Sequence, residues 1–183
     1  MLEPSTRTSQ FKQRARCCSA AAAALLAWLV LSTATANAGA WITDPHSACQ
    51  VWDPNPQIDE SVAWSGACAN GRAEGAGTVQ WLKTGTVIET DKGEWRDGRQ
   101  AGKGVQTWPT GSYEGELAEG QPSGRGVLTI PNLRYEGQFR DGKPNGLGTL
   151  TEGSQTVHGA WKDGCLQGGP RKASIGIPLS ACR

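Results

Sequence analysis

The side chains of this sequence that could do chemistry are few, and the cysteines are the most informative of them. Four of the six cysteines follow residue 38, at Cys49, Cys68, Cys165 and Cys182. His46-x-x-Cys49 has the spacing of two metal ligands, but no second close pair of ligands accompanies it. An even number of cysteines in an exported chain is typical of disulfide bonds. Four cysteines allow three pairings, and we favour the two local ones, Cys49–Cys68 and Cys165–Cys182.

No enzyme motif is complete in this sequence. The stretch Gly98–Gly104 looks like a phosphate-binding loop, but it is one residue too short between its glycines and lacks the Ser or Thr that would hold Mg²⁺. Glu114, Glu116 and Glu136 could act as paired carboxylates in glycoside hydrolysis. Their spacing instead favours the outward face of strands, where charged side chains keep a protein soluble. His158 stands at the repeat position that holds Glu114 and Glu136 in the earlier repeats. The sequence therefore predicts a protein without catalytic activity, cofactor or metal.

Aromatic side chains are the best candidates for a binding surface. A row of rings on one face of a sheet can stack on sugars or pack against a partner protein. The six candidates are Trp81, Trp95, Trp108, Tyr113, Tyr135 and Phe139. Two arrangements are open: the rings line a groove, or they close on one another and on the glycine backbone. Because the short segments at the two ends of the chain cannot cover a long sheet face, we expect some of these rings to stay partly exposed.

The rings belong to a repeat that is defined by glycine. Residues 113–129 and 135–151 align without a gap at a period of 22. An earlier unit lies 27 residues back, one period plus a five-residue insertion within 81–91. The glycine positions that recur are Gly93, Gly115, Gly137 and Gly159, then Gly98, Gly120, Gly142 and Gly164, then the doublets Gly102/Gly104, Gly124/Gly126 and Gly146/Gly148, with Gly66, Gly71 and Gly75/Gly77 in the earlier unit. Such a period is typical of a repeat array.

This glycine pattern resembles the MORN repeat, Y-x-G-x-[FW]-x-x-G-x-x-x-G-x-G, over about residues 64–168. The resemblance implies one β-hairpin per repeat, with about five hairpins stacked into an elongated, single-layer antiparallel sheet. It also implies contacts with proteins or membranes, because MORN arrays are associated with both.

The residues between the glycines support the same all-β fold. Two residues after the first glycine of each repeat stand Cys68, Trp95, Leu117, Phe139 and Trp161, while the flanking positions are mostly polar. Alternation with a period of two predicts strands with one apolar face. Asp97-Gly98 and Asp141-Gly142 provide residues that tolerate the backbone of a tight hairpin turn.

The first 38 residues have the features of a secretory signal peptide. Basic residues precede a short apolar run at 20–31, and Ala36-Asn37-Ala38 forms a cleavage site, so we expect cleavage after Ala38. About a dozen apolar residues are too few to span a bilayer comfortably. Residues 39–183 then carry 14 Lys and Arg against 16 Asp and Glu, a net charge of −2 with His neutral. This balance argues against a nucleic-acid partner and against strong attraction to anionic lipid.

The exported part divides into an array and two caps. Residues 39–63 have no period and contain prolines and tryptophans, so we interpret them as an N-terminal cap. The array covers residues 64–168, and residues 169–183 form a C-terminal cap. The outermost unit of an array has no neighbour, so each local disulfide would tie a cap over one end. Each closed loop would contribute roughly 3 kcal/mol.

These features together predict a non-catalytic scaffold, periplasmic or secreted, that mediates protein–protein interaction. The expected partner is an unidentified envelope protein. The alternative is that the chain binds envelope lipid headgroups or glycan through an aromatic groove. The sequence does not indicate an oligomeric state.

Overall fold

The computed structural model describes residues 39–169 and 171–182, which fold into one sheet of twelve strands. The predicted signal peptide, residues 1–38, lies outside the described residues. The strands are β1 (Ala40–Thr43), β2 (Gln50–Asp53), β3 (Glu60–Ala69), β4 (Arg72–Lys83), β5 (Thr86–Arg96), β6 (Arg99–Trp108), β7 (Gly111–Ala118), β8 (Gln121–Ile130), β9 (Leu133–Arg140), β10 (Lys143–Glu152), β11 (Gln155–Lys162) and β12 (Cys165–Gln167). A turn of 3₁₀ helix, Leu179–Ala181, follows. Within the described part of the chain, no helix is long and apolar enough to cross a membrane.

The sheet is a meander of hairpins. From β3 to β12 each strand pairs antiparallel with the next along the chain. The hairpin of β1 and β2 joins β4 through one parallel bridge, between Gln50 and Arg72. The five-residue insertion lengthens β4 and β5 to 12 and 11 residues, whereas β7, β9 and β11 have 8. The prediction of an all-β, single-layer antiparallel sheet is confirmed.

Two-residue turns fix the hairpin tips and set the period. At Asp97 and Gly98 the φ angles are 49° and 74°, and at Asp141 and Gly142 they are 49° and 73°. Positive φ at both turn residues matches the twist of the flanking strands. The N–H of each tip glycine donates to a carbonyl oxygen of the preceding repeat: Gly98 to Ala73 at 2.9 Å, Gly120 to Gln100 at 2.8 Å, Gly142 to Pro122 at 3.0 Å and Gly164 to Pro144 at 2.9 Å. Each repeat is thus fastened to the one before it.

The two glycines of each G-x-G doublet have different tasks. The first one has φ of +75° at Gly102, +96° at Gly124 and +111° at Gly146, a conformation that side chains disfavour. These glycines lie in segments where the register between strands shifts, which are the β-bulges of the array. The second glycine of each doublet pairs, across both neighbouring strands, with the glycine in the first strand of a hairpin. The result is an unbroken transverse row, here called the glycine row: Gly66, Gly77, Gly93, Gly104, Gly115, Gly126, Gly137, Gly148 and Gly159.

Disulfide bonds join Cys49 to Cys68 and Cys165 to Cys182, which is the pairing that the sequence favours. Since the sulfur of Cys49 is bonded to Cys68, it is not available to form a metal site with His46. At the C-terminal end Leu166 lies over Gly159, where a Cβ would meet it at 2.6 Å.

The N-terminal cap packs on the first tips of the array. Trp41 lies against Gly98, where a Cβ would come 2.5 Å from the indole ring. The guanidinium groups of Arg72 and Arg99 stand 4.2 and 5.1 Å from the Trp41 ring centre. This stacking joins the cap to both β4 and β6.

The core consists of two apolar clusters on one face of the sheet, here called the ring face. The N-terminal cluster contains Cys49, Val51, Val62, Trp64, Ala73, Val79, Trp81 and Trp95. The C-terminal cluster contains Trp108, Tyr113, Leu117, Leu128, Tyr135, Phe139, Leu150, Trp161 and Ile175. The division falls between Trp95 and Trp108, inside the repeat formed by β5 and β6.

Candidate functional site

The six aromatic residues predicted to form a binding face are buried in the core. Trp108 is the most exposed of them at 7%, and Tyr113 and Tyr135 are at 0%. Edge-to-face contacts with ring centres 5.1 Å apart run from Tyr113 to Phe139, from Phe139 to Tyr135 and from Tyr135 to Trp161. The expectation of partly open rings is therefore wrong for Trp81, Trp95, Trp108, Tyr113, Tyr135 and Phe139. The reason is that rings of neighbouring repeats cover one another, so the caps need not cover them.

Tyr113 shows how a ring is held flat on the glycine row. A Cβ at Gly126 would lie 2.3 Å from its hydroxyl oxygen and 2.5 Å from its Cζ atom. The hydroxyl donates to the carbonyl oxygen of Glu116 at 2.7 Å. Tyr135 repeats this arrangement over Gly148. Burial raises the pKa of both phenols, to about 12 for Tyr135, so both rings are neutral structural elements.

The repeat formed by β5 and β6 departs from this pattern at three buried positions. Asp91 stands where the next repeats have Tyr113 and Tyr135, Gln100 where they have Pro122 and Pro144, and Gln106 where they have Leu128 and Leu150. The three are 1 to 4% exposed. Trp81 Nε1 donates to Asp91 at 2.7 Å, and Gln106 Nε2 donates to Gln100 Oε1 at 3.1 Å. This polar layer lies at the division between the two apolar clusters.

The opposite side of the sheet, here called the polar face, carries a groove of about 870 Å³ that crosses β5 to β10. Its floor is the backbone of the glycine row. Its walls are the side chains before and after each glycine, which point away from the ring face. The lining residues are Lys92, Gly93, Lys103, Gly104, Val105, Glu114, Gly115, Glu116, Arg125, Gly126, Val127, Glu136, Gly137, Gln138 and Leu147.

The length of the groove suits a short extended chain. Six strands at a spacing of about 4.8 Å give a length of about 24 Å. The floor donates no hydrogen bonds of its own, because its backbone groups are paired within the sheet. Recognition would therefore depend on the wall side chains.

Charged side chains of both signs line the groove. Lys92 and Lys103 stand at one end, Glu114 and Glu116 follow, and Arg125 and Glu136 add one charge of each sign beyond them. Lys103 and Glu116 face each other directly across β6 and β7. Leu147 adds an apolar side chain that is 70% exposed near the other end. A ligand that fits would carry charges of opposite sign in the same order.

The candidate chemical groups are not assembled into a catalytic arrangement in the described residues. No three His, Cys, Asp or Glu residues described there are placed to hold a metal ion. His158 is exposed, with Nδ1 2.7 Å from Thr149 Oγ1, and Glu136 forms an ion pair with Arg134 at 2.8 Å. The stretch Gly98–Gly104 is the tip of the β5–β6 hairpin followed by strand, so no helix follows its glycines.

Sequence reasoning missed both the groove and the polar layer. The charged columns before and after each glycine were interpreted as solubilising charges, although they flank the floor of a groove. The polar layer was visible as well, because Asp91 interrupts a column of large apolar side chains. Comparing each repeat with the next, position by position, would have found it.

Three consecutive segments of the chain match the family model of the MORN repeat: residues 92–112, 113–132 and 135–151. Together they span most of β5 to β10, the strands that carry the groove. No curated protein matches the chain in a sequence search.

Proposed function

Because this chain is a MORN-repeat protein, we propose that it is a non-catalytic scaffold that binds a protein partner through the groove on its polar face. MORN repeats are in general interaction or scaffold motifs, which supports this assignment over an enzyme. The single observation that carries the proposal is the groove, since the side chains of the ring face are buried in the core.

We propose that the groove holds an elongated segment of the partner. The groove is about 24 Å long, and Val105 and Val127 offer apolar contacts on its wall. Acidic side chains of the partner would face Lys92 and Lys103, and basic ones would face Glu114. Charges at an exposed rim mainly determine specificity and the rate of association.

We place this scaffold in the periplasm or among secreted proteins. Its two disulfide bonds support this location, because disulfides persist in oxidising compartments. Cleavage after Ala38 would leave Gly39 as the first residue, and N-terminal sequencing of the exported protein tests that point. A start at Met1 would contradict it.

The alternative, binding of envelope lipid headgroups or glycan through an aromatic groove, has less support. Stacking on a sugar requires an exposed ring, and the six candidate rings are buried. Among the described tryptophans, Trp41 and Trp52 of the N-terminal cap are half-buried, but Arg72 and Arg99 already stack on them.

Site-specific photo-crosslinking in living cells tests the proposal. A photoreactive amino acid at Val127 lies in the groove, and the same residue at Thr156 lies on the polar face outside it. We expect a protein adduct at position 127 and none at 156, with the partner peptide identified by mass spectrometry. Glu114→Lys should reduce the adduct about tenfold, whereas Glu119→Lys, the same change at a hairpin tip, should leave it unchanged. A lipid or glycan adduct at position 127, or no adduct, would contradict the proposal.

A further inference from the structure

The side chains on either side of the glycine row form two walls along the groove. The first wall consists of side chains from β5 to β8 in strand order: Lys92, Val105, Glu114 and Val127. The second wall consists of side chains from β6 to β8 in strand order: Lys103, Glu116 and Arg125. Neighbouring strands lie about 4.8 Å apart, so each wall repeats after two strands, or about 9.6 Å.

The charged side chains of the two walls have no counter-charges in the described part of the chain. All five are exposed, and none of them forms an ion pair with a described residue. Lys103 and Glu116 are directly opposite each other on β6 and β7 and still do not pair. Unpaired charges held in a fixed register can be matched by a partner with charges of the opposite sign.

The repeat length of the walls favours one conformation of the bound segment. A polyproline II helix has three residues per turn and rises about 3.1 Å per residue, so every third side chain points the same way after about 9.3 Å. On one face of a β-strand, side chains recur after about 6.7 Å, and an α-helix completes a turn in about 5.4 Å. Of these three conformations, only polyproline II keeps its side chains in step with the hairpins.

The floor of the groove favours the same conformation. Its backbone is paired with the strands on both sides, so it has no hydrogen bonds to give to an added β-strand. A polyproline II helix needs none, because its backbone has no internal hydrogen bonds and remains solvated. It is also formed before binding, which lowers the entropy lost in the complex.

We propose that the groove binds a proline-rich segment of the partner in the polyproline II conformation, with the order acid-Pro-acid-base-Pro-acid. This inference rests on the proposed function, because it specifies the partner segment in the same groove. The acid at position 1 faces Lys92, and the base at position 4 lies between Glu114 and Glu116. The acids at positions 3 and 6 face Lys103 and Arg125, and they come within about 1.5 Å, along the groove, of the strands that carry these residues.

Peptide binding to the purified protein, followed by ¹H–¹⁵N NMR in about 0.1 M salt, tests the charge order. The capped hexapeptide Glu-Pro-Glu-Lys-Pro-Glu should shift the amide signal of Gly115 to saturation and leave that of Thr156 in place. The peptide Lys-Pro-Glu-Glu-Pro-Glu has the same composition and the same prolines, but it places like charges against the first wall. It should bind at least tenfold more weakly, and equal affinities would overturn the proposal.

Replacing the prolines tests the conformation. The peptide Glu-Gly-Glu-Lys-Gly-Glu keeps every charge in its position but must be ordered on binding. It should bind about tenfold more weakly than the peptide with proline. If it binds equally well, the polyproline II conformation is refuted.

Charge exchange tests the register of the segment in the groove. Lys92→Glu should weaken binding of the first peptide about fivefold, and lysine at peptide position 1 should restore it. Arg125→Glu should weaken it similarly, but the same peptide change should not restore binding. Arg125 is three strands from Lys92, or about 14 Å, which exceeds the Debye length of about 10 Å at this salt concentration. Restoration in Arg125→Glu and not in Lys92→Glu would overturn the proposed order.

The crosslinking at Val127 separates this inference from the proposed function. An adduct with a partner segment that lacks the proline-rich charge pattern would refute the inference and leave the proposed function intact. An adduct with a segment that has this pattern would support both. Peptide binding without any protein adduct in cells would refute the proposed function alone.

Discussion

Adding one methyl group to the glycine row should destabilise the fold through a single ring. In Gly126→Ala the new Cβ would lie 2.3 to 2.6 Å from three atoms of Tyr113, whereas ordinary carbon contacts begin near 3.4 Å. The ring must therefore lift by about 1 Å, which is overpacking that costs about 1–3 kcal/mol. Lifting the ring also weakens the hydrogen bond from its hydroxyl to the carbonyl oxygen of Glu116, worth about 0.5–1.5 kcal/mol.

One effect acts in the other direction. Replacing glycine by alanine restricts the unfolded chain and stabilises by about 0.4–1 kcal/mol. The net loss is about 2 kcal/mol in the free energy of unfolding. For a domain of this size it lowers the melting temperature by about 4–8 °C, measured by circular dichroism.

A double-mutant cycle shows whether the ring is responsible. Tyr113→Val places at this column the residue that the chain itself has at Val157. In that background Gly126→Ala should cost about 1 kcal/mol or less, because no ring lies over the glycine. Gly153→Asn is the matched control, since its Cβ meets nothing within 4 Å and its φ of +57° suits asparagine. An unchanged melting temperature for Gly126→Ala, or the same penalty in both backgrounds, would refute the account of flat rings on glycine.

Three further predictions concern pH and the caps. Folding raises the pKa of Tyr135 from 10.0 to about 12, so the unfolded chain loses this proton first. The free energy of unfolding should therefore fall as pH rises from about 10 towards 12, and it should fall more weakly in Tyr135→Phe. A melting temperature that does not change over this pH range would contradict the prediction. Burial alone would raise the pKa of Asp44, but hydrogen bonds from Ser47, His46 and Trp64 hold the pKa of this carboxyl below its ordinary value of 3.8. Its contribution to stability should therefore be lost as pH falls below about 4 and be absent in Asp44→Asn, as followed by thermal unfolding. Replacing both Cys165 and Cys182 by Ser opens a loop of 17 residues and should lower the free energy of unfolding by roughly 3 kcal/mol. Amide hydrogen exchange should become faster in β11 than in β7. An equal increase in both strands would argue against a local cap.

The sheet could be predicted from the sequence because its signals are local and repeated. A glycine with positive φ at a tip, an aspartate before it and a period-two alternation each act within a few residues, and five copies reinforce one another. The local disulfides followed from the need to cover both ends of an array. Each of these inferences depends on neighbours along the chain.

The burial of the rings could not be predicted in the same way, because it depends on contacts between repeats. The alternation showed that Tyr135 and Phe139 share a face, but it did not show that each would seal the other at 5.1 Å. The groove was missed for the same reason, since its walls come from six strands that are 11 or so residues apart. A repeat pattern shows which face a residue occupies, whereas exposure is decided by the packing of one repeat on the next.

The glycine row makes the stability of the fold and the proposed binding depend on the same residues. On the ring face it gives Tyr113 and Tyr135 a flat support, and on the polar face its backbone is the floor of the groove. A side chain added there would point to the ring face, so it would disrupt the core before it altered the groove directly. The floor is therefore fixed by packing, and only the wall residues on either side of each glycine can be changed without loss of the fold. It follows that, in the proposed complex, partner specificity is determined by the side chains of these walls, with Lys92, Lys103 and Glu114 the first to examine.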